Sequence, residues 1–382
     1  MTEKLYDNDS YQTEFDAVVL FCEASGDGYK TILDKTVFFP EEGGQSCDTG
    51  HINGIEITFV ELCGDTIVHY SKAPFEPGST VHGVIDFAPR YRKMQNHTGE
   101  HIICGIAHKL YGCENVGFHL GADYVTMDLD KPLTSEDIAK IEVMANEAVY
   151  SNIPVTAYYP AEDELKITDY RSKSNITGKV RLVNIEGYDI CACCAPHVAR
   201  TGEVGIIKIL DCINYKGGVR LSILCGRDAL SDYNERLKRN IYISNLLSVK
   251  QEDVCTALDK LMEDMASLRQ QIGEKSKLIS KLYTDSISET DENICIITEG
   301  LSSGEMRHIV NGIMTKTTKS AAVFCGNDQD GYSYIIGSLH INLKDAAPQI
   351  NSALCGRGGG TSQMIQGSVK TNKKQIEVYF TN

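Results

Sequence analysis

The sequence predicts a mixed α+β chain built from several modules: a small antiparallel β-barrel, a central α+β domain, a helical stretch and a closing α/β domain. Three observations lead there. At 382 residues the chain exceeds what one hydrophobic core ordinarily serves. Residues from Val18 to Asp86 break into short β-rich runs. From Val254 to Leu282 apolar residues return at alternating spacings of four and three. The expected modules are 1–88, 89–228, 229–288 and 289–382.

In the first module the runs VVLF, YKTIL, TVFF, IEITFV, TIVHY and TVHGVID are separated by glycine, asparagine and aspartate, with Asn53-Gly54 as a hairpin signal. Pro89 marks a boundary. From Arg90 to Leu110 the period becomes helical, with Ile103, Ile106 and Leu110 at packing distance and Gly112 beyond the end. A strand-like GFHLGADYVTMDLD comes next, and then Thr134 or Ser135 caps a helix reaching about Tyr150. Strand candidates recur at VTAYY, KVRLVNI, VGIIKIL and VRLSIL. The heptad seam of Val254, Leu258, Leu261, Met265, Leu268, Ile272, Ile279 and Leu282, interrupted by Lys275, needs a partner helix. Asp232 to Leu247 of the same chain is one candidate and a second subunit is another, so a homodimer through the helical and C-terminal modules is an expectation. After Asp291 a second α/β pattern carries Gly356-Arg357-Gly358-Gly359-Gly360, followed by a helix-like stretch.

Composition removes several function classes. The hydrophobic fraction is 42% and no apolar run reaches membrane-span length, so no membrane partner is expected. The polar, acidic start MTEKLYDNDSYQTEFD has neither a secretory nor a transit signature, which points to the cytoplasm. Fourteen cysteines are then read as reduced thiols. The net charge of −15 argues against polyanion binding by bulk electrostatics, so a nucleic-acid partner would have to use local basic patches. Candidates are Arg90, Arg92 and Lys93; Arg171, Lys173, Lys179 and Arg181; and Lys370, Lys373 and Lys374.

The sharpest signal is His97-Thr98-Gly99-Glu100-His101. Residues four apart stand one above the other on a helix, so both imidazoles reach one ion. A second half-site is Cys193-Cys194-Ala195-Pro196-His197, and together they offer the nitrogen and sulfur set that suits zinc. Cys104 continues the histidine face and competes for the ion; His108 lies about 10 Å along the axis from His101, too far to share it. Spacing alone does not separate Cys191, Cys193 and Cys194, although Cys193 with His197 keeps a one-turn-like interval. Glu100 is a candidate general base, against an exposed or capping role. The rival reading of His-x-x-Glu-His is an inverted zinc-peptidase motif, but no glutamate stands in the downstream window around Asn175 to Lys179.

These paired HxxxH and CxxxH half-sites resemble the editing domain of alanyl-tRNA synthetase and its free-standing AlaX relatives. TVFFPEEGGQSCDTG resembles the family's glycine-glycine-glutamine segment, HVARTGEVG the stretch after the second metal motif, and GRGGGTSQMIQGSV the glycine-rich motif of the DHH-associated domain. The resemblance covers nearly the whole chain and is to the long AlaX form. It implies an editing domain at 89–228, a DHH-associated domain at 289–382, and zinc held by His97, His101, Cys193 and His197. It further implies hydrolysis of seryl, and by family expectation glycyl, esters of alanine tRNA, with Thr98 and Gln45 as candidates for reading a serine hydroxyl. The chain opens directly on the barrel, so aminoacylation is not expected. Gly358, Gly359 and Gly360 would present backbone amides to a tRNA phosphate, or merely make a tight turn; nucleotide binding is the alternative for that domain. A tRNA-binding protein with a purely structural zinc is the alternative for the whole. One departure stands inside the second motif: Cys194-Ala195-Pro196 replaces the synthetase's glycine-glycine-threonine, which bears on the amino-acid pocket.

Overall fold

The computed structural model describes residues 1–121, 125–172 and 179–381. They form two compact units, Met1–Ile241 and Tyr242–Asn382.

The first unit opens with β1 (Glu3–Lys4), paired in parallel with β4 (Lys35–Thr36). Strands β2 (Glu14–Ser25), β3 (Gly28–Leu33), β5 (Gly50–Ile52), β6 (Ile55–Cys63), β7 (Thr66–Ser71) and β8 (Thr80–Ile85) close into a barrel in the order β2-β3-β7-β6-β5-β8. Alternation selects the inside: in β8, Val81 and Ile85 are buried while Thr80, His82 and Val84 are exposed. Gly83 lies between those two inward positions because a Cβ there would come within 2.2 Å of the Phe15 ring. Asn53 (φ 46°) and Gly54 (φ 77°) make the two-residue turn from β5 to β6, the left-handed geometry that tight hairpins demand.

Helix α1 (Phe87–Tyr111) begins three residues earlier than the sequence suggested. Pro89 falls in its first turn, where a missing N–H costs nothing. Gly112 ends it at φ 63°, donating its N–H to the carbonyls of Ala107 and His108. Next come β9 (Asn115–Leu120), β10 (Val125–Leu129) and α2 (Ser135–Tyr150), whose cap is Thr134 in a capping box with Asp137. Strands β11 (Val155–Tyr158), β12 (Leu182–Ile185) and β13 (Asp189–Ala192) form an antiparallel sheet, with the short α3 (Glu162–Ile167) between β11 and β12. Strands β14 (Ile207–Tyr215) and β15 (Gly218–Cys225) join the earlier pair in the order β14-β15-β10-β9. One core runs through this part, where Ile102, Ile103 and Ile106 of α1 meet Ile141 and Ala145 of α2 and Leu221 and Ile223 of β15. Helix α4 (Gly226–Leu247) carries the chain out of the first unit.

In the second unit α5 (Val254–Asp285) carries the heptad pattern, yet Leu258, Leu261, Met265, Leu268, Ile272, Ile279 and Leu282 are all exposed. Beyond it lie β16 (Ile294–Thr298), α6 (Ser303–Ile313), β17 (Ala321–Asn327), β18 (Gly331–Gly337), α7 (Leu343–Ala353), β19 (Gly356–Gly360), β20 (Met364–Val369) and α8 (Lys373–Thr381). The strands form one sheet in the order β16-β17-β18-β20-β19. Alternate residues of β17 serve opposite faces: Val323 packs with Ile309 and Val310 of α6, while Phe324 packs with Ile350 of α7 and Phe380 of α8. Two sequence expectations change here. The glycine run leads into strand β20 instead of a helix, and Gly358, Gly359 and Gly360 are extended residues of an edge strand rather than a loop cradling phosphate. The run is glycine for packing as well, since a Cβ on Gly358 would meet the Tyr334 hydroxyl at 2.3 Å.

Candidate metal centre

Helix α1 supplies the first half of the site, with His97 and His101 leaving the same face one turn apart. The segment after β13 supplies the second. One atom from each of His97, His101, Cys193 and His197 lies within 4.8 Å of every other. Cys193 Sγ is 3.6 Å from His97 Nε2 and 3.4 Å from His197 Nε2. A tetrahedral ion bound at zinc distances has ligand-to-ligand edges of about 3.3–3.6 Å, which these two sulfur-to-nitrogen distances match.

Each ring is fixed at its other nitrogen. Nδ1 of His97 is 3.0 Å from Gln45 Oε1, Nδ1 of His101 is 3.0 Å from Asp189 Oδ2, and Nδ1 of His197 is 3.0 Å from Thr98 Oγ1. With Nδ1–H donating outward, all three imidazoles turn Nε2 to the common point, the arrangement by which metal-binding histidines have their tautomer set. Asp189 is held in turn by Arg171, whose Nε and Nη2 reach its two oxygens at 2.7 and 2.8 Å.

The charges agree with a cation. Burial alone would push the Cys193 thiol up, but the His97 and His197 imidazoles hold it well below its usual value. Burial lowers His197 to about 3 and keeps that ring neutral. At His101 burial also pulls downward, but Cys191, Asp189, Cys193 and Glu100 outweigh it and raise the ring well above its usual value. Thiolate and neutral imidazole are the metal-binding forms, which Cys193 and His197 favour; at His101 a bound cation would take the place of the proton that the acidic neighbours draw to the ring.

Several sequence-predicted residues take other duties. Thr98 is wholly buried, and its hydroxyl serves His197 and accepts the Val198 N–H at 3.3 Å, so it is not aimed at a substrate hydroxyl. Glu100 is 0% exposed; its carboxylate accepts from Asn115 Nδ2 and from the Cys104 thiol, and lies 3.8 Å from His101 Nε2. It does not face water: one oxygen lies near the His101 nitrogen that turns to the common point, and the other takes the Cys104 thiol. That same bond takes Cys104 out of competition for the ion. His108 is paired with Glu114 at 2.9 Å, away from the cluster.

The basic patches shrink. Arg90 is buried with no exposure, bound to Asp48 and to the Val37 carbonyl, and Lys93 donates to the carbonyls of Ser46 and Cys47. Neither reaches a phosphate; together they fasten the β4–β5 loop to α1, which brings Gln45 to His97. Arg92 pairs with Asp228 at 2.7 Å and donates to the Gly121 carbonyl at 3.1 Å. Arg171 is spent on Asp189, and Arg181 is buried with bonds to the carbonyls of Cys193 and Ala195, bracing the metal loop. Lys173 lies outside the described residues. Lys179, Lys370, Lys373 and Lys374 are exposed.

Sequence reasoning passed over Asp189 and Asn115. Asp189 stands four residues before Cys193 and Glu186 seven, and the sequence carries no sign of which carboxylate turns toward the histidines.

The fold is mixed α+β, and part of it is similar to a module found in translation enzymes. Residues 180–223, which span β12 to β15 and include Cys193 and His197, match the family described as "Threonyl and Alanyl tRNA synthetase second additional domain". Over nearly its whole length the chain resembles alanyl-tRNA editing proteins. It is 26% identical to the alanyl-tRNA editing protein AlaX-L of Pyrococcus horikoshii, covering 98% of this chain and 96% of that one. It is also 26% identical to the alanyl-tRNA editing protein Aarsd1 of Mus musculus, covering 98% and 95%. Identity reaches 30% with the alanine–tRNA ligase of Pyrococcus abyssi, where the match covers 98% of this chain but spans only 43% of the ligase.

Proposed function

We propose that this chain is a trans-editing hydrolase that removes wrongly attached amino acids, seryl and glycyl, from alanine tRNA, using zinc held by His97, His101, Cys193 and His197. The observation that carries the reading is the buried cluster of three imidazoles and one thiolate, each ring fixed at Nδ1. Names of full-length relatives supply the substrate class.

When bound, zinc supplies charge stabilisation for the ester carbonyl or a more acidic water. The chain's own residues set that up. Asp189 and Arg171 hold His101, Thr98 holds His197, and Gln45 holds His97 while keeping its Nε2 amide for another partner. Cys193 is the half-buried member of the four, so substrate would approach from its side. For the tRNA body, the exposed basic residues Arg357 of β19, Lys370 just after β20, and Lys373 and Lys374 at the start of α8 replace the buried Arg90 and Lys93 as phosphate partners. The work would be done in the cytoplasm, and no described helix is long and apolar enough to cross a membrane.

A second reading has its own support. Four protein ligands, three of them at most 4% exposed, describe a closed site, as in a tRNA-binding protein with structural zinc. Purified chain offered seryl-, glycyl- and alanyl-tRNA for alanine decides between them. Zinc-dependent loss of the seryl and glycyl esters, with alanyl ester spared, is expected; stable esters beside full zinc content would leave the binding protein.

A further inference from the structure

Next to the metal centre, the turn from Glu42 to Gln45 leaves two buried polar atoms without a protein partner, Glu42 Oε2 and Gln45 Nε2. The two residues face each other across an antiparallel bridge, closed by Glu42 N–H to Gln45 O at 3.1 Å and Gln45 N–H to Glu42 O at 3.0 Å. Opposed residues in such a bridge send their side chains to the same face. Gln45 is wholly buried, and its Oε1 is taken by His97 Nδ1, which leaves Nε2 as an unmet donor. The turn is locked in place: the Leu120 N–H donates to the Gly44 carbonyl at 3.1 Å. A Cβ on Gly43 would sit 3.9 Å from Cys194 Sγ, so the turn abuts the residue after ligand Cys193.

An unmet carboxylate oxygen and an unmet amide donor, both withdrawn from water, are costly to keep without purpose. Side by side they complement a group that carries an ammonium donor next to a carbonyl acceptor. An α-amino ester is such a group. The carboxylate also offsets the repulsion between that ammonium and a nearby metal cation. We propose that Glu42 binds the α-ammonium of the aminoacyl ester while Gln45 Nε2 donates to its carbonyl, making the 42–45 turn an α-amino subsite. It follows that the site takes aminoacyl esters with a free amine and rejects N-blocked ones, such as peptidyl esters. This subsite rests on the editing reading above.

The test uses the zinc-loaded full chain and two non-hydrolysable probes, 3′-(L-serylamino)-3′-deoxyadenosine and its N-acetyl counterpart. Wild type should bind the free amine about 10- to 100-fold more tightly, the range of a charged hydrogen bond. Glu42→Gln should erase most of that ratio while zinc content and N-acetyl binding stay unchanged, and Glu42→Asp, a second variant should the first fail to fold, should retain part of it. Deacylation of seryl-tRNA against N-acetylseryl-tRNA should show the same ratio in kcat/KM. Equal binding of the two probes by wild type, or a Glu42→Gln loss shared by both, overturns the subsite even where seryl-tRNA is hydrolysed. A binding ratio without any hydrolysis leaves the subsite standing and removes the editing reading.

Discussion

Helix α1 is written largely in polar residues, among them Arg90, Lys93, Gln95, Asn96, His97, Thr98, Glu100 and His101, and yet it buries 16 of its 25 residues. Helix α5 has the cleaner apolar repeat and buries only Val254 and Ser280 of its 32. Burial here runs against hydropathy. In α1 the polar groups meet fixed partners: Arg90 meets Asp48, Asn96 meets Asp228, His97 meets Gln45, and His101 meets Asp189. Buried polar groups are tolerable on that condition. The exposed seam of α5 has no such network and stands free to be changed.

The comparison breaks most sharply at the metal. Cys193→Ala should leave zinc well below one per chain and abolish deacylation, measured by metal analysis and an ester-release assay; retained zinc would mean that the buried imidazoles of α1 serve another end. Arg90→Met should cost about 3–5 kcal/mol in urea unfolding, because Asp48 would be left as an unpaired buried charge. A loss under 1 kcal/mol would show that α1 is not pinned by that pair.

His69 in the barrel sharpens the point, as a fully buried histidine with only Thr36 Oγ1 at 2.9 Å and the Thr31 carbonyl at 3.4 Å near its nitrogens. Burial lowers its pKa from 6.5 to about 4. Between those values the unfolded chain binds a proton that the native chain does not, so stability rises with pH. The His69 contribution is therefore full above pH 6.5 and lost on acidification toward pH 4, about 3 kcal/mol in all. His69→Gln should flatten that part of the pH–stability curve, and an unchanged slope would assign it to other groups.

Asp189→Asn should lower zinc affinity by about 10- to 100-fold in competition with a chelator, since the amide loses the carboxylate's hold on His101. Smallest of all, Leu268→Ser on α5 should shift unfolding by no more than about 0.5 kcal/mol, in keeping with its 56% exposure. A loss above 2 kcal/mol would mean that the seam is covered in solution and would erase the contrast between the two helices.

Much of this was legible in advance because it depends on local periodicity. The mixed α+β class, the span of α1, the cap of α2 at Thr134 and the Asn53-Gly54 turn all depend on residues within a few positions of one another. The glycine run misled because extended glycine and turn glycine look alike in a sequence. Which it is depends on Tyr334 of β18, two strands away in the sheet, whose hydroxyl requires residue 358 to be small. Arg90, Arg171 and Arg181 looked like a phosphate-binding surface for a related reason. A cation's fate is set by the carboxylate or carbonyl that reaches it, and Asp48, Asp189 and Cys193 stand 42, 18 and 12 residues away from those three.

By itself the sequence determined which side chains offer metal-binding chemistry and that His97 and His101 share a helix face, because helix geometry fixes that spacing. It also carried the likeness to editing proteins. Only the tertiary structure gathers Cys193 and His197 with both imidazoles of α1, sets Cys191 in a second group with His101 and Asp189, turns Thr98 and Glu100 inward, and leaves Glu42 and Gln45 with unmet polar atoms beside the centre. Those outcomes depend on contacts between segments as many as about a hundred residues apart, brought together by burial of a shared core, and no local rule ranks one buried partner above another.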